Sequence, residues 1–263
     1  MIAIDSMAKK IRQSFDAAAH TYDGAAALQR QVGFDFISMF DINIARQCVI
    51  DLGCGTGFLM QQLMADVAVR QMIAVDIAHA MLQVSRSKLQ HLSNIQFVCA
   101  DAEKLPVANH SMDTIVSNLA LQWCRNLPAV FVNFRQVLKP GGRLLFSTFG
   151  AKTLQELKQS WAQVDNYAHV NDFYTVDELT RFLQQAGFKD IRIESKCYHS
   201  GYPSVIALMK ELKGIGANQV MSGRKQKTIG RMQMQAMTDS YETYRVNGLI
   251  PATYEVLFIS ATR

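Results

Sequence analysis

The chain has few of the residues that staple or metallate a fold. Its five cysteines, Cys48, Cys54, Cys99, Cys124 and Cys197, are odd in number and never fall as C-x-x-C. That argues against a disulfide framework and against a zinc site. They are expected to be reduced and buried, the usual state of free cysteine. The six histidines, His20, His79, His91, His110, His169 and His199, are scattered without pair spacing, so no metal is expected. No run of about 18 or more uninterrupted apolar residues is present, and the opening MIAIDSMAKKIRQSF lacks the apolar segment of a secretory signal. The expected location is the cytoplasm, with no membrane partner. Internal repeats, low-complexity tracts and any Ser/His/Asp or Cys/His constellation are also missing. What remains, 263 residues of which 49% are hydrophobic, suits one globular domain with an elaboration.

From about residue 47 to 195 apolar runs alternate with helical patterns. QCVIDLG, QMIAVDI, IQFVCAD, MDTIVSNLAL and RLLFSTFG read as strands. GFLMQQLMAD, AHAMLQVSRSKLQ and LPAVFVNFRQVL read as helices, the last stopped at Lys139-Pro140-Gly141-Gly142. Continuous apolar strands separated by amphipathic helices predict a parallel sheet covered on both faces. The expected fold is α/β: a Rossmann-like, doubly wound, mostly parallel seven-stranded sheet. TVDELTRFLQQAGF is predicted helical, with Thr175 as N-cap and Gly187 at its stop. KDIRIESKCY and the closing TYEVLFISATR read as strands. Between them residues 200–245, with the helical YPSVIALMKELKGIG, read as an inserted cap. The expected division is a helical lid segment at 1–44, a core at 45–199 and 246–263, and the cap at 200–245.

The run CVIDLGCGTGF reaches an acid at Asp51 and then breaks into Gly53, Gly55 and Gly57. Glycines at a first strand-to-helix turn let backbone N–H groups and a helix N-terminus approach a ligand. A dinucleotide fold would want G-x-G-x-x-G, but Phe58 stands where the third glycine belongs. The second strand ends in Asp76, followed by Ile77, where doubly wound folds grip the hydroxyls of a ribose. The third ends in Asp101 and Ala102; a carboxylate there can accept from an exocyclic amine. A single such acid could be a solvated or capping carboxylate. Three of them beside a glycine turn point to a nucleoside crevice.

These residues resemble the class I S-adenosylmethionine-dependent methyltransferases, through DLGCGTG, Asp76, ADAEKLP and SNLALQW. The likeness implies that Gly53, Gly55 and Gly57 lie against the amino-acid part of S-adenosylmethionine, with Asp51 and Ile77 also among the residues that hold the cofactor. It implies Asp76 on the ribose, Asp101 and Ala102 on the adenine edge, and Asn118 beside the sulfonium. The N-P-P-Y motif of nucleic-acid amine methylases is replaced by Asn118-Leu119-Ala120-Leu121, and the metal-binding group of a catechol enzyme is missing.

Other stretches narrow the acceptor. SFDAAAHTYDGAAALQRQV, SNLALQWCRNL, SWAQVD, LKGIGAN and YEVLF resemble, in that order, the malonyl-acyl carrier protein O-methyltransferases of biotin synthesis, the BioC family. The implied reaction is methylation of the malonyl carboxylate. With a pKa of about 4 that group is anionic at neutral pH and needs no general base. Alignment alone can supply roughly 7–11 kcal/mol. By its place in the matching motif Tyr22 is expected to close over sulfonium and acceptor, or else to pack a helix on the core. Gln29 follows at a helical spacing of seven. Gln122 and Trp123 stand at the crevice mouth, Trp123 as core or as pocket wall. Lys213 or Arg245 is expected to hold the acceptor carboxylate. Residues 205–235 carry Lys210, Lys213, Arg224, Lys225, Lys227 and Arg231 against the single acid Glu211, in a chain of net charge +5. Such a basic cap would attract an acidic acyl carrier protein. A quinone-precursor or other small-molecule methyltransferase, and an RNA methyltransferase, are the alternatives.

Overall fold

The computed structural model describes residues 2–40, 42, 44, 47–65, 69–217 and 230–263. The chain runs α1 (Ile2–Ala18), α2 (Tyr22–Ala25), α3 (Ala27–Phe40), β1 (Cys48–Leu52), α4 (Phe58–Leu63), β2 (Gln71–Asp76), α5 (His79–Lys88), β3 (Ile95–Cys99) and β4 (Met112–Asn118). It continues through α6 (Leu127–Val137), β5 (Leu138–Phe149), α7 (Gln155–Ala162), α8 (Val176–Gln185), β6 (Lys189–Tyr202), α9 (Val205–Gly214), α10 (Arg231–Glu242) and β7 (Ile250–Thr262). Short 3-10 turns lie at Ala102–Lys104 and Leu121–Trp123.

The strands form one seven-stranded sheet in the order β3-β2-β1-β4-β5-β7-β6. Neighbours from β3 to β5 pair in parallel, and β7 is antiparallel to both β5 and β6. The central strands are buried on both sides, so alternate residues enter different cores. Val49, Met72, Ala74 and Val116 face one cluster, covered by Val32 and Phe36 of α3, Leu59 and Met60 of α4, and Tyr241 of α10. Ile50, Leu52, Ile73 and Val75 face the other, under Phe131 and Phe134 of α6 and Leu179 and Leu183 of α8. The doubly wound expectation is met.

Helix ends follow local chemistry. The Asn126 side chain accepts from the Ala129 N–H and starts α6. Thr175 and Glu178 form a reciprocal capping box at α8, and Gly187 leaves that helix at φ +86°. One helix the sequence reading passed over is α7, whose Leu157 and Trp161, four apart, are both buried.

The expectation of buried cysteines holds for Cys48 and Cys54 but not for Cys99 and Cys197, which are exposed. Both of the latter sit on the sheet's two edge strands, β3 and β6, where cover is thinner. The segment between β6 and β7 contains α9 and α10; α9 lies against α2 and α10 against α7. Arg224, Lys225 and Lys227 fall outside the described residues. Among the described residues no helix is long and apolar enough to cross a membrane.

Candidate active site

Strand order reverses between β1 and β4, which opens a crevice at their C-terminal ends. A cleft lies there, of ≈ 830 Å³ with its open mouth included, lined by Gly53, Gly55, Asp76, Ile77, Asp101, Ala102 and Asn118, with Ala8, Ile11 and Phe15 of α1 above it. A smaller one of ≈ 450 Å³ adjoins it and contains Asp51 and Gln29. Tyr22, Gly53, Gly55 and Asn118 border both. Eight of the nine residues expected to hold the cofactor therefore line one or the other.

The ninth, Gly57, lines neither. At φ +89° it starts α4, and a Cβ there would stand 2.5 Å from Ser85 Oγ, so this glycine lets α4 pack on α5. The other two face the space. Gly53 (φ +67°) would place a Cβ 2.2 Å from that of Ala120, whereas a Cβ on Gly55 (φ +53°) would meet nothing within 4 Å. The turn is bare on its open side, leaving backbone available to a ligand.

Asp76 welds this turn to the next helix. Its carboxylate accepts from Gly55 N–H at 2.9 Å and from Ala78 N–H at 2.8 Å. Burial pushes it up to about 6 against the pull of those backbone donors. Asp51 is 1% exposed, and its Oδ2 is buried without a partner. Burial, with Asp76 beside it, pushes Asp51 up to about 8. An unpartnered buried carboxylate oxygen at the wall of the smaller cavity suits a cationic amine, which fits the amino end of S-adenosylmethionine. Asp101 caps the Ala102–Lys104 turn through Glu103 N–H at 2.9 Å with one oxygen.

The raised values fix a sign. Both carboxyls bind protons more tightly folded than unfolded, so their stabilisation is full below about pH 4 and is lost as pH rises through about 6 for Asp76 and about 8 for Asp51. A ligand ammonium beside Asp51 expels its proton. Calorimetry is therefore expected to show S-adenosylmethionine affinity rising from about pH 6 to about pH 8 with proton release. A flat affinity with no proton release would place the amine elsewhere.

Asn118 is fixed at both ends, Nδ2 donating to the Gln29 carbonyl at 3.0 Å and Oδ1 accepting from Ser147 Oγ at 2.7 Å. It clasps α3 to β4 where the cavities meet. Tyr22 and Gln29 do share the smaller cavity, but the helix breaks at Ala26 between them, so two helices deliver them. Burial and the nearby Asp76 and Asp23 hold the Tyr22 hydroxyl far above its ordinary range, so it is a neutral donor and not a base. Asp23, missed from sequence, pins the lid: Thr56 Oγ1 donates to it at 2.6 Å and Lys88 pairs with it.

A third chamber, of ≈ 890 Å³, continues past Gln29 and Trp123 and is lined by Gln122, Phe149, His169, Phe173, Glu211 and Tyr254 among others. Trp123 borders both this chamber and the crevice cavity, and Phe15 of α1 meets it edge-on at 5.5 Å. Phe15 lies inside the quoted amino-terminal motif, so its signal was present but unread. Gln122 Nε2 donates to the Leu119 carbonyl at 2.6 Å, and its Oε1 is buried without a partner.

The two cations expected to hold the acceptor are elsewhere. Arg245 pairs with Glu242 and donates to the Pro203 carbonyl at 3.2 Å, bordering none of these spaces. Lys213 lines an outer groove. The reason is the facing of α9, which turns Met209 and Leu212 to the chamber and Lys210 and Lys213 outward.

The sheet order, the bare turn and the acids ending β2 and β3 together define a Rossmann-like methyltransferase. A methyltransferase-domain profile matches residues 50–146. Among solved structures, the YcgJ protein of Bacillus subtilis superposes with TM-score 0.64 at 14% identity, over 89% of this chain and 98% of that one. The phosphoethanolamine N-methyltransferase 2 of Haemonchus contortus, solved in complex with S-adenosyl-L-methionine, gives 0.61 at 17% identity over 94% and 57%. The malonyl-[acyl-carrier protein] O-methyltransferase of Methylococcus capsulatus is 41% identical over 248 residues, 93% of this chain and 90% of that protein. The biotin biosynthesis bifunctional protein BioHC of Cellvibrio japonicus is 41% identical over 251 residues, and there the chain spans 49% of the longer relative. The chain belongs to the malonyl-[acyl-carrier protein] O-methyltransferase family.

Proposed function

We propose that this chain methylates the free carboxylate of a malonyl thioester on acyl carrier protein, an early step of biotin synthesis. The observation that carries the reading is the 41% identity to a malonyl-[acyl-carrier protein] O-methyltransferase over nearly the whole of both chains. The architecture agrees: the crevice cavity shares Trp123, and the smaller cavity Gln29, with the third, mostly apolar chamber. When bound, S-adenosylmethionine supplies an electrophilic methyl on a sulfonium; transfer to a carboxylate oxygen leaves the broken bond's electron pair on sulfur and moves no proton.

The chain's own residues then have only to hold and align. Gly53 and Gly55 offer backbone, Asp51 would take the cofactor's amine, Asp76 with Ile77 the ribose, and Asp101 with Ala102 the adenine edge. Asn118 keeps the lid against β4 at the crossing point. Gln122 and Trp123 wall the acceptor side. Tyr22, its hydroxyl making no hydrogen bond among the described residues, would donate to the acceptor carboxylate and hold one oxygen toward the methyl. Tyr22→Phe is expected to leave the cofactor Kd unchanged and lower turnover at least about tenfold, the lower end of the worth of one charge-assisted bond. Equal turnover would return Tyr22 to packing.

Docking of the carrier has support in the outer groove. Lys10 of α1 joins Lys210 and Lys213 there, all exposed and none in an ion pair with an acid of the described residues. Such a basic face suits an acidic partner. A second reading, methylation of an aromatic small molecule such as a quinone precursor, draws on the rings of Trp123, Phe149, Phe173 and Tyr254 around the chamber. An assay with methyl-labelled cofactor separates them by offering malonyl-carrier protein, free malonyl thioester, a quinone precursor and total RNA. Label on the malonyl carrier is expected; label on the quinone precursor or RNA alone would overturn the proposal.

A further inference from the structure

A carboxylate acceptor in a mostly apolar chamber needs a positive partner, because an unpaired buried charge is costly. Neither Lys213 nor Arg245 supplies it, and among the described residues lining the chamber there is no other lysine or arginine. His169 is the one lining residue among them able to carry positive charge. Its Nε2 lies 2.8 Å from Asp165 Oδ1, and its side chain is 7% exposed. The ring is stacked on Trp161 at 3.7 Å and 9°. Asp165 is itself held, accepting from Tyr167 N–H at 3.0 Å and Gln233 Nε2 at 3.3 Å. Trp161 and Asp165 both belong to SWAQVD, a stretch to which the cofactor berth gives no role.

We infer that His169, oriented by Asp165 and Trp161, is the group that holds the acceptor carboxylate in the chamber. The inference rests on the malonyl reading above and adds the residue that makes the site select a charged acceptor. Asp165 Oδ1 accepts a hydrogen bond from Nε2–H. Nδ1 has no partner among the described residues, and in the imidazolium form it too is a donor. A carboxylate arriving at Nδ1 would meet a ring whose other nitrogen is already fixed on Asp165 and whose face is fixed on Trp161. Glu211, on the same chamber and accepting from Tyr202 OH at 2.7 Å, repels an acid placed on its own side. It thereby favours the acceptor's carboxylate toward His169. Methylation cancels the charge, so the neutral ester loses this partner and leaves.

The test compares wild type, His169→Gln, which keeps a neutral N–H donor to Asp165, and His169→Lys, which keeps a charge. The readouts are the KM and kcat for malonyl-carrier protein and the Kd values for S-adenosylmethionine and for the methyl-ester product. Expected is a KM at least about tenfold higher in His169→Gln. Both Kd values stay within about twofold, and His169→Lys recovers part of the loss. A KM within about twofold of wild type would overturn the inference and assign the carboxylate to another cation. An equal rise in KM and product Kd would overturn it too, reducing His169 to chamber wall. Wild type inert toward malonyl-carrier protein would defeat the substrate reading, and this inference with it.

Discussion

Gly53→Ala is expected to abolish measurable binding of S-adenosylmethionine and to lower Tm by about 4 °C or more. Two costs add at this position. The backbone sits at φ +67°, where an L side chain costs about 1–2 kcal/mol. The new Cβ would also stand 2.2 Å from Ala120, an overlap that only a shift of the turn can relieve, at about 1–3 kcal/mol more. Such a shift moves the backbone on which the cofactor is proposed to lie. Gly141→Ala is the control: its φ is +76° but its Cβ would have nothing within 4 Å, so only the backbone cost applies and cofactor binding is unchanged. Normal melting and an unchanged Kd in Gly53→Ala would show that the turn is not the berth.

Asp76→Ala is expected to weaken S-adenosylmethionine binding about 10- to 150-fold, the worth of one charge-assisted hydrogen bond at about 1.5–3 kcal/mol. Further loss comes from the turn, because the Gly55 and Ala78 N–H groups lose their common acceptor. Asp76→Asn keeps one acceptor oxygen and is expected to fall between the two. An unchanged Kd in Asp76→Ala would mean that the ribose is held elsewhere.

The parts of the fold legible in the sequence are those in which one residue's neighbours along the chain already settle its environment. Val49, Ile50, Met72, Ile73, Ala74 and Val75 are continuous apolar runs because both faces of β1 and β2 are covered. Asp76 and Asp101 are legible for the same reason, since an acid ending such a run has reached a strand's open end. Gly57 looked identical to Gly53 and Gly55, but which glycine faces a ligand and which faces Ser85 depends on where α5 packs.

The acceptor side was less legible. Lys213 and the chamber-lining Leu212 are adjacent in sequence, and only the docking of α9 decides which points inward. His169 carried no local signal, because its setting is made by Trp161 of α7 and by Asp165, which Gln233 of α10 holds in turn. Cys99 and Cys197 misled for a related reason: strand pattern does not tell an edge strand from a central one.

Passage of the methyl group to a carboxylate oxygen can be read from the chemistry of the product. Malonyl-carrier protein is incubated with the full chain and methyl-labelled S-adenosylmethionine, and the labelled carrier is then treated with mild base. An ester is expected to release its label as methanol, and carrier loaded with an acetyl group, which lacks the carboxylate, is expected to take up none. Label that survives base, or that appears equally on acetyl carrier, would show that the methyl goes somewhere other than the malonyl carboxylate.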